Sequence, residues 1–231
     1  MTSAYPETDT NLGLSPGRWT INRPIMTALD SETGCRVALG LIMAGAVAIG
    51  LPHRLRADRA GGRVSPRVDP VWFWILMGIV GPPVLLAGLG FLIQPRWVDF
   101  ARIDAPAWLR LMGAPIALAG MALFGSMFRH LGLNVTSTSM PRDNATLVTT
   151  GPYRWIRHPM YSAALIMIVA TSLLTANAVV ALGGVPMFAL LAARSRVEER
   201  RLVGKFGDAY RIYQHRTGRF LPRLPRRFTA T

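Results

Sequence analysis

Four long apolar runs limit what this 231-residue chain can fold into: residues 36–51, 71–93, 108–128 and 160–193. A helix crossing the hydrocarbon core takes roughly 20 apolar residues, and helices satisfy their own backbone donors and acceptors there. The second and third runs fit one span each, while the first is short and needs flanking residues. The fourth is too long for one helix. Thr175 and Asn177 mark its middle, and two arms of about 16 residues would each rise about 24 Å. The pattern predicts a tight hairpin that nearly spans, closed by a polar turn at 175–177. The expected fold is an all-α integral membrane protein with about five transmembrane helices, a C-terminal helical hairpin and a cytosolic amphipathic C-terminal helix.

Charge agrees with this reading and orients it. Only 16% of the residues are charged, against about a quarter in soluble domains, which argues against an ordinary soluble fold. The net charge is +14, and Lys205 is the only lysine; so strong an arginine bias suggests a GC-rich bacterial genome. The arginines sit between apolar runs, which fits membrane topology and not nucleic-acid binding. Arg54, Arg56, Arg59, Arg63 and Arg67 outnumber Asp58 and Asp69 in the first loop, whereas Arg96 and Arg102 balance Asp99 and Asp104 in the second. The third loop and the C-terminal tail are again basic. Lys and Arg excess marks the cytoplasmic side, so both ends of the hairpin are expected to face the cytosol from an inner (cytoplasmic) membrane. The domain plan is a polar tail at 1–35, three spans at 36–128, and a functional region at 129–231 containing the hairpin 160–193. The tail lacks a signal-peptide pattern, and its "RWTINRPI" around Trp19 is read as lying at the membrane surface. One cysteine, Cys35, excludes an internal disulfide, and no metal site is expected.

Two segments carry chemistry that spanning does not need. The first is "GPYRWIRHPMYSAAL", residues 151–165. Gly151-Pro152 interrupts any preceding helix, and Pro159 suits the first turn of the next one. His158 should be extended, with free backbone groups at a helix N-terminus that favours anionic groups. Tyr153, Trp155 and Tyr161 offer faces for a flat ring or a cation. An aromatic-and-arginine interface anchor is the competing reading. The second segment is "ARSRVEERRLVGKFGDAYRIYQHRTGRFLP", where Arg194 and Glu198 share a helix face at i, i+4. They form either a surface ion pair or, if the hairpin helix continues past Ala193, an inward-facing functional pair. Tyr210 and Tyr213 continue a short amphipathic helix, ended by Gly218 and Pro222.

"LVTTGPYRWIRHPMY", a hydrophobic hairpin and "EERRLVGKFGDAYRIYQHRTGRFLP" together resemble the isoprenylcysteine carboxyl methyltransferase family. They are more distantly similar to phospholipid N-methyltransferases, which share the His-Pro-x-Tyr and Glu-Glu elements. The likeness covers roughly 147–222. It implies an integral membrane S-adenosylmethionine-dependent methyltransferase. By motif position, Leu147 and Val148 would give backbone contacts to the cofactor. Tyr153, His158, Pro159, Met160 and Tyr161 would shape its pocket, and Glu198 would hold its amino group. Arg194, with Glu198 counted as catalytic, would meet the substrate. The expected partners are the bilayer and a small lipophilic or lipid acceptor, with carboxylate or thiol favoured over amine, and no nucleic acid or obligate protein partner. The rivals are an NADPH-dependent membrane reductase of the sterol reductase type and a non-enzymatic scaffold whose arginines grip anionic lipid. The Ser/Thr-rich "NVTSTSMPRDNATLV" would be a flap over the cofactor or a plain linker.

Overall fold

A computed structural model describes residues 23–59, 69–134 and 146–223. Trp19, Arg63, Arg67 and most of the Ser/Thr-rich stretch lie outside the described residues. Among the described residues seven α-helices follow in order: α1 Arg23–Arg59, α2 Val71–Ile93, α3 Ala107–Leu111, α4 Gly113–Leu131, α5 Pro159–Thr175, α6 Ala178–Phe206 and α7 Asp208–Arg216. Among the described residues, four segments are long and apolar enough to cross a membrane: Ser31–Arg59, Val71–Ile93, Ala107–Leu131 and Ala178–Phe206, with α5 as a shorter apolar helix. This is an all-α, multi-pass membrane fold. Leu41, Ile79, Leu86, Leu118 and Leu182 all point outward, as hydrocarbon around the molecule allows.

Two bounds differ from the sequence expectation. The first helix begins at Arg23, so part of the stretch read as polar tail is helical. Hydropathy marks only the lipid-facing part of a helix, whose polar ends extend it unnoticed. The hairpin is also asymmetric: α5 has 17 residues but α6 has 29 and runs past Ala193 to Phe206. The arms were expected to be equal because the apolar run stops at Ala193, yet the strong helix formers Arg194 to Arg201 continue the same helix.

Within the bundle, α4 packs chiefly on α5, α2 on α6, and α1 on α4. Small residues permit the close approach, as is usual between membrane helices. At Gly113, a Cβ would stand 2.6 Å from the Ala170 carbonyl oxygen and 2.7 Å from Leu174 Cγ. Cys35, Leu39, Phe91, Ala117, Ala170, Leu174 and Val180 form the main buried cluster.

The hairpin turn lies where expected. Ala176 adopts a left-handed conformation (φ 44°). The Asn177 side-chain oxygen caps α6 by accepting from the Val179 and Val180 N–H groups at 2.9 and 3.3 Å. Its Nδ2 donates to the Val98 carbonyl at 3.0 Å, and Ile103 N–H donates to the Ala176 carbonyl at 2.7 Å. The turn is thereby fastened to the segment joining α2 and α3, at one end of the molecule. The ends of α1, α4 and α6 meet at the other.

Candidate active site

At that second end the chain from Gly151 to His158 is held by backbone pairing with the segment after α7. Gly218 N–H donates to the Trp155 carbonyl at 3.1 Å; Arg157 and His158 N–H groups donate to the Gly218 and Arg219 carbonyls at 2.8 and 3.0 Å. Gly218 is required here, because a Cβ would collide with the Leu221 carbonyl. The expectation of free backbone groups at His158 is therefore corrected: its N–H is already bonded to Arg219. Pro159 opens α5 as predicted.

The motif divides between two roles. Trp155 is 55% exposed, with the Arg154 guanidinium stacked over its ring at 5.1 Å, as an interface anchor would be. Tyr153, Arg157, His158 and Tyr161 turn inward. The imidazole of His158 stacks on the Tyr161 ring, with centroids 5.4 Å apart and planes 6° from parallel.

The adjacent glutamates then separate. Glu199 is buried, and receives Arg157 Nε at 2.9 Å, Arg219 Nε at 3.2 Å and a further bond from Arg219 Nη2. His158 Nε2 lies 3.2 Å from the same carboxylate. Arg157 also donates to the carbonyls of Gln214 and Thr217. Glu199 thus binds three chain segments together. Glu198 faces the other way, its side chain 29% exposed; it accepts from the Tyr161 hydroxyl at 3.1 Å and lies 3.6 Å from His158 Nδ1. One helical turn earlier, Arg194 Nη1 donates to the Tyr161 hydroxyl at 2.7 Å and Nη2 to Asp69 at 3.0 Å.

Arg157, Tyr161, Arg194 and Glu198 face one cavity of about 600 Å³, within the roughly 300–1,000 Å³ usual for small-molecule sites. Leu147, Val148, Tyr153, His158, Pro159, Met160, Tyr161, Arg194 and Glu198 all contribute to its wall. The lining that α1 and α4 add is largely apolar and includes Val47, Leu51, Phe124 and Phe128. Burial, with the Glu198 charge beside it, raises the Tyr153 phenol far above its ordinary pKa, so it remains a neutral hydroxyl at physiological pH. Tyr213 donates to the Tyr153 carbonyl at 2.7 Å, and burial pushes its own phenol up to about 12. Sequence reasoning missed Glu199, Arg219 and Asp69. Glu199 had a signal in the paired glutamates. Asp69 had only its place beside α2, on the loop assigned to the same membrane side.

Residues 108–209 match the phospholipid methyltransferase family. A protein-S-isoprenylcysteine O-methyltransferase of Xenopus laevis is 31% identical over 141 residues, covering 54% of this chain and 47% of its own. The cobalt-zinc-cadmium resistance protein CzcN of Cupriavidus metallidurans is 39% identical over 84 residues, covering 36% and 38% respectively. A solved structure of the eukaryotic intramembrane Ras methyltransferase ICMT aligns over 68% of this chain and 54% of that one, with 20% identity and a TM-score of 0.47. The chain spans about half the length, or less, of the curated relatives it matches. Over about half of its length the chain is thus similar in sequence to membrane methyltransferases of the phospholipid and isoprenylcysteine kinds.

Proposed function

We propose that the chain transfers a methyl group from S-adenosylmethionine to a lipophilic acceptor at the cytosolic mouth of the hairpin. The observation that carries this reading is the mixed lining of the cavity. It combines Glu198, Tyr153, His158 and Tyr161 with apolar residues of α1 and α4 that suit an alkyl or prenyl chain.

The residues fit the donor. Glu198 is the carboxylate turned into the cavity, suited to a cationic amino group, while Glu199 is engaged by arginines behind it. Tyr153 and Tyr161 offer ring faces to a flat base or a sulfonium. The donor supplies an activated methyl on a positively charged sulfur. The chain's part is to bind and align the two partners and to exclude water, which supply much of the rate enhancement in such a transfer. Arg194 orients an anionic acceptor by charge-assisted hydrogen bonding. A carboxylate acceptor is already a nucleophile, so this chain need not remove a proton from it. The relatives named for isoprenylcysteine O-methylation act at such a group, and the acceptor here is of that chemical class: an amphiphile carrying a carboxylate or thiolate.

Calorimetry on the detergent-purified chain tests the reading. Micromolar S-adenosylmethionine binding, lost at least tenfold in Glu198→Ala, is expected. Binding of NADPH in place of S-adenosylmethionine would replace the transferase reading with a reductase.

A further inference from the structure

The carboxylate that meets Arg194 comes from outside the family-matched segment. Asp69 lies just before α2, and its side chain is 1% exposed. A carboxylate that deep is costly unless paired. It stands 3.0 Å from Arg194 Nη2 and 4.0 Å from Arg201 Nη1. Phe73, in the first turn of α2, lies beneath the guanidinium, its ring centroid 5.4 Å from Arg194 Cζ. Tyr161 accepts from Nη1 at 2.7 Å. Arg194 is therefore fixed along two edges and one face, with its plane set by groups from α2, α5 and the segment before α2. Asp69 is thus shared between two guanidinium groups, and the one on Arg194 forms part of the cavity wall.

We propose that Asp69 is a positioning residue for Arg194, and that Asp69 and Phe73 together aim this guanidinium as the receptor for the anionic head of the acceptor. The proposal rests on the methyltransferase reading for the word acceptor, and on geometry alone for the receptor. Asp69 also straps α2 to α6, which pack against each other. A strap alone would leave ligand preference untouched, and a positioning role would not.

The test uses the full chain in phosphatidylcholine nanodiscs, titrated calorimetrically with S-adenosylmethionine, with N-acetyl-S-dodecylcysteine, and with that amphiphile's methyl ester; empty discs are subtracted. The wild type is expected to prefer the carboxylate over the ester at least tenfold. Asp69→Asn should erase that preference while S-adenosylmethionine affinity stays within threefold, and Asp69→Glu should recover part of it. Phe73→Leu keeps the ion pair and should lower the preference severalfold; it decides the matter if Asp69→Asn fails to fold. Full preference retained in Asp69→Asn, or in Phe73→Leu where that variant decides, would overturn the proposal. So would a wild type that binds S-adenosylmethionine but treats carboxylate and ester alike. An Asp69-dependent preference without S-adenosylmethionine binding would leave the anion receptor standing and remove the donor reading instead.

Discussion

Neighbouring residues on a helix stand about 100° apart, so Glu198 and Glu199 cannot share a role, and the structure separates them. Glu199 is held by Arg157, Arg219 and His158, whereas Glu198 faces the cavity with Tyr161. Removing one member of a buried ion network costs about 3–5 kcal/mol, because the partners are left charged and unpaired. Glu199→Gln is therefore expected to lower the melting temperature by several degrees, followed by intrinsic fluorescence in detergent. Glu198→Gln loses hydrogen-bond partners worth about 1 kcal/mol, so its melting should change little while S-adenosylmethionine affinity falls at least tenfold. Equal melting losses in the two variants would contradict the division. The sequence motif pointed to Glu198 and passed over Glu199, since spacing along one helix does not say where Arg219, 20 residues further on, will return. Asp69 was legible only as a charge. Its meeting with Arg194 across 125 residues is a tertiary fact.

At the scale of elements, the apolar runs announced the spanning helices well, because hydropathy over about 20 residues is the strongest signal a membrane chain offers. The polar pair inside the longest run announced the turn. Helix ends were less visible: α1 starts earlier and α6 ends later than their apolar stretches, since charged residues with good helix propensity carry the helix beyond the lipid. What fixes α5 against α6 is the turn itself. Asn177 caps α6 and also donates to Val98. A lost N-cap costs about 1 kcal/mol, and a buried carbonyl left without its donor about 1–3 kcal/mol more. Asn177→Ala should therefore destabilise the fold by roughly 2–4 kcal/mol, while Asn177→Ser keeps a capping oxygen and loses the Val98 bond. Thermal melting of the two variants should rank wild type above Ser and Ser above Ala. An Ala variant as stable as the wild type would mean that the turn is not what fastens the hairpin.

Across the whole molecule, the two ends differ in chemistry. One end joins the hairpin turn to the α2–α3 connection, where Arg96 and Arg102 are balanced by Asp99 and Asp104. The other end gathers the cavity, Arg54, Arg157, Arg194 and the basic helix α7. A net excess of arginine marks the side retained in the cytosol, so the cavity end is expected inside. Under the proposed function, that orientation would let an acceptor anchored in the bilayer meet a water-soluble donor from the cytosol. In a Cys35→Ala background, a cysteine at Asp104 and another at Ala209, both exposed, report the two ends separately. Cys35 itself is fully buried, so its removal takes away no accessible thiol. A membrane-impermeant maleimide applied to intact cells should label Asp104→Cys at once and Ala209→Cys only after permeabilisation. The reverse pattern would put the cavity on the outer face, away from any cytosolic methyl donor, and both the orientation and the transferase reading would fall together.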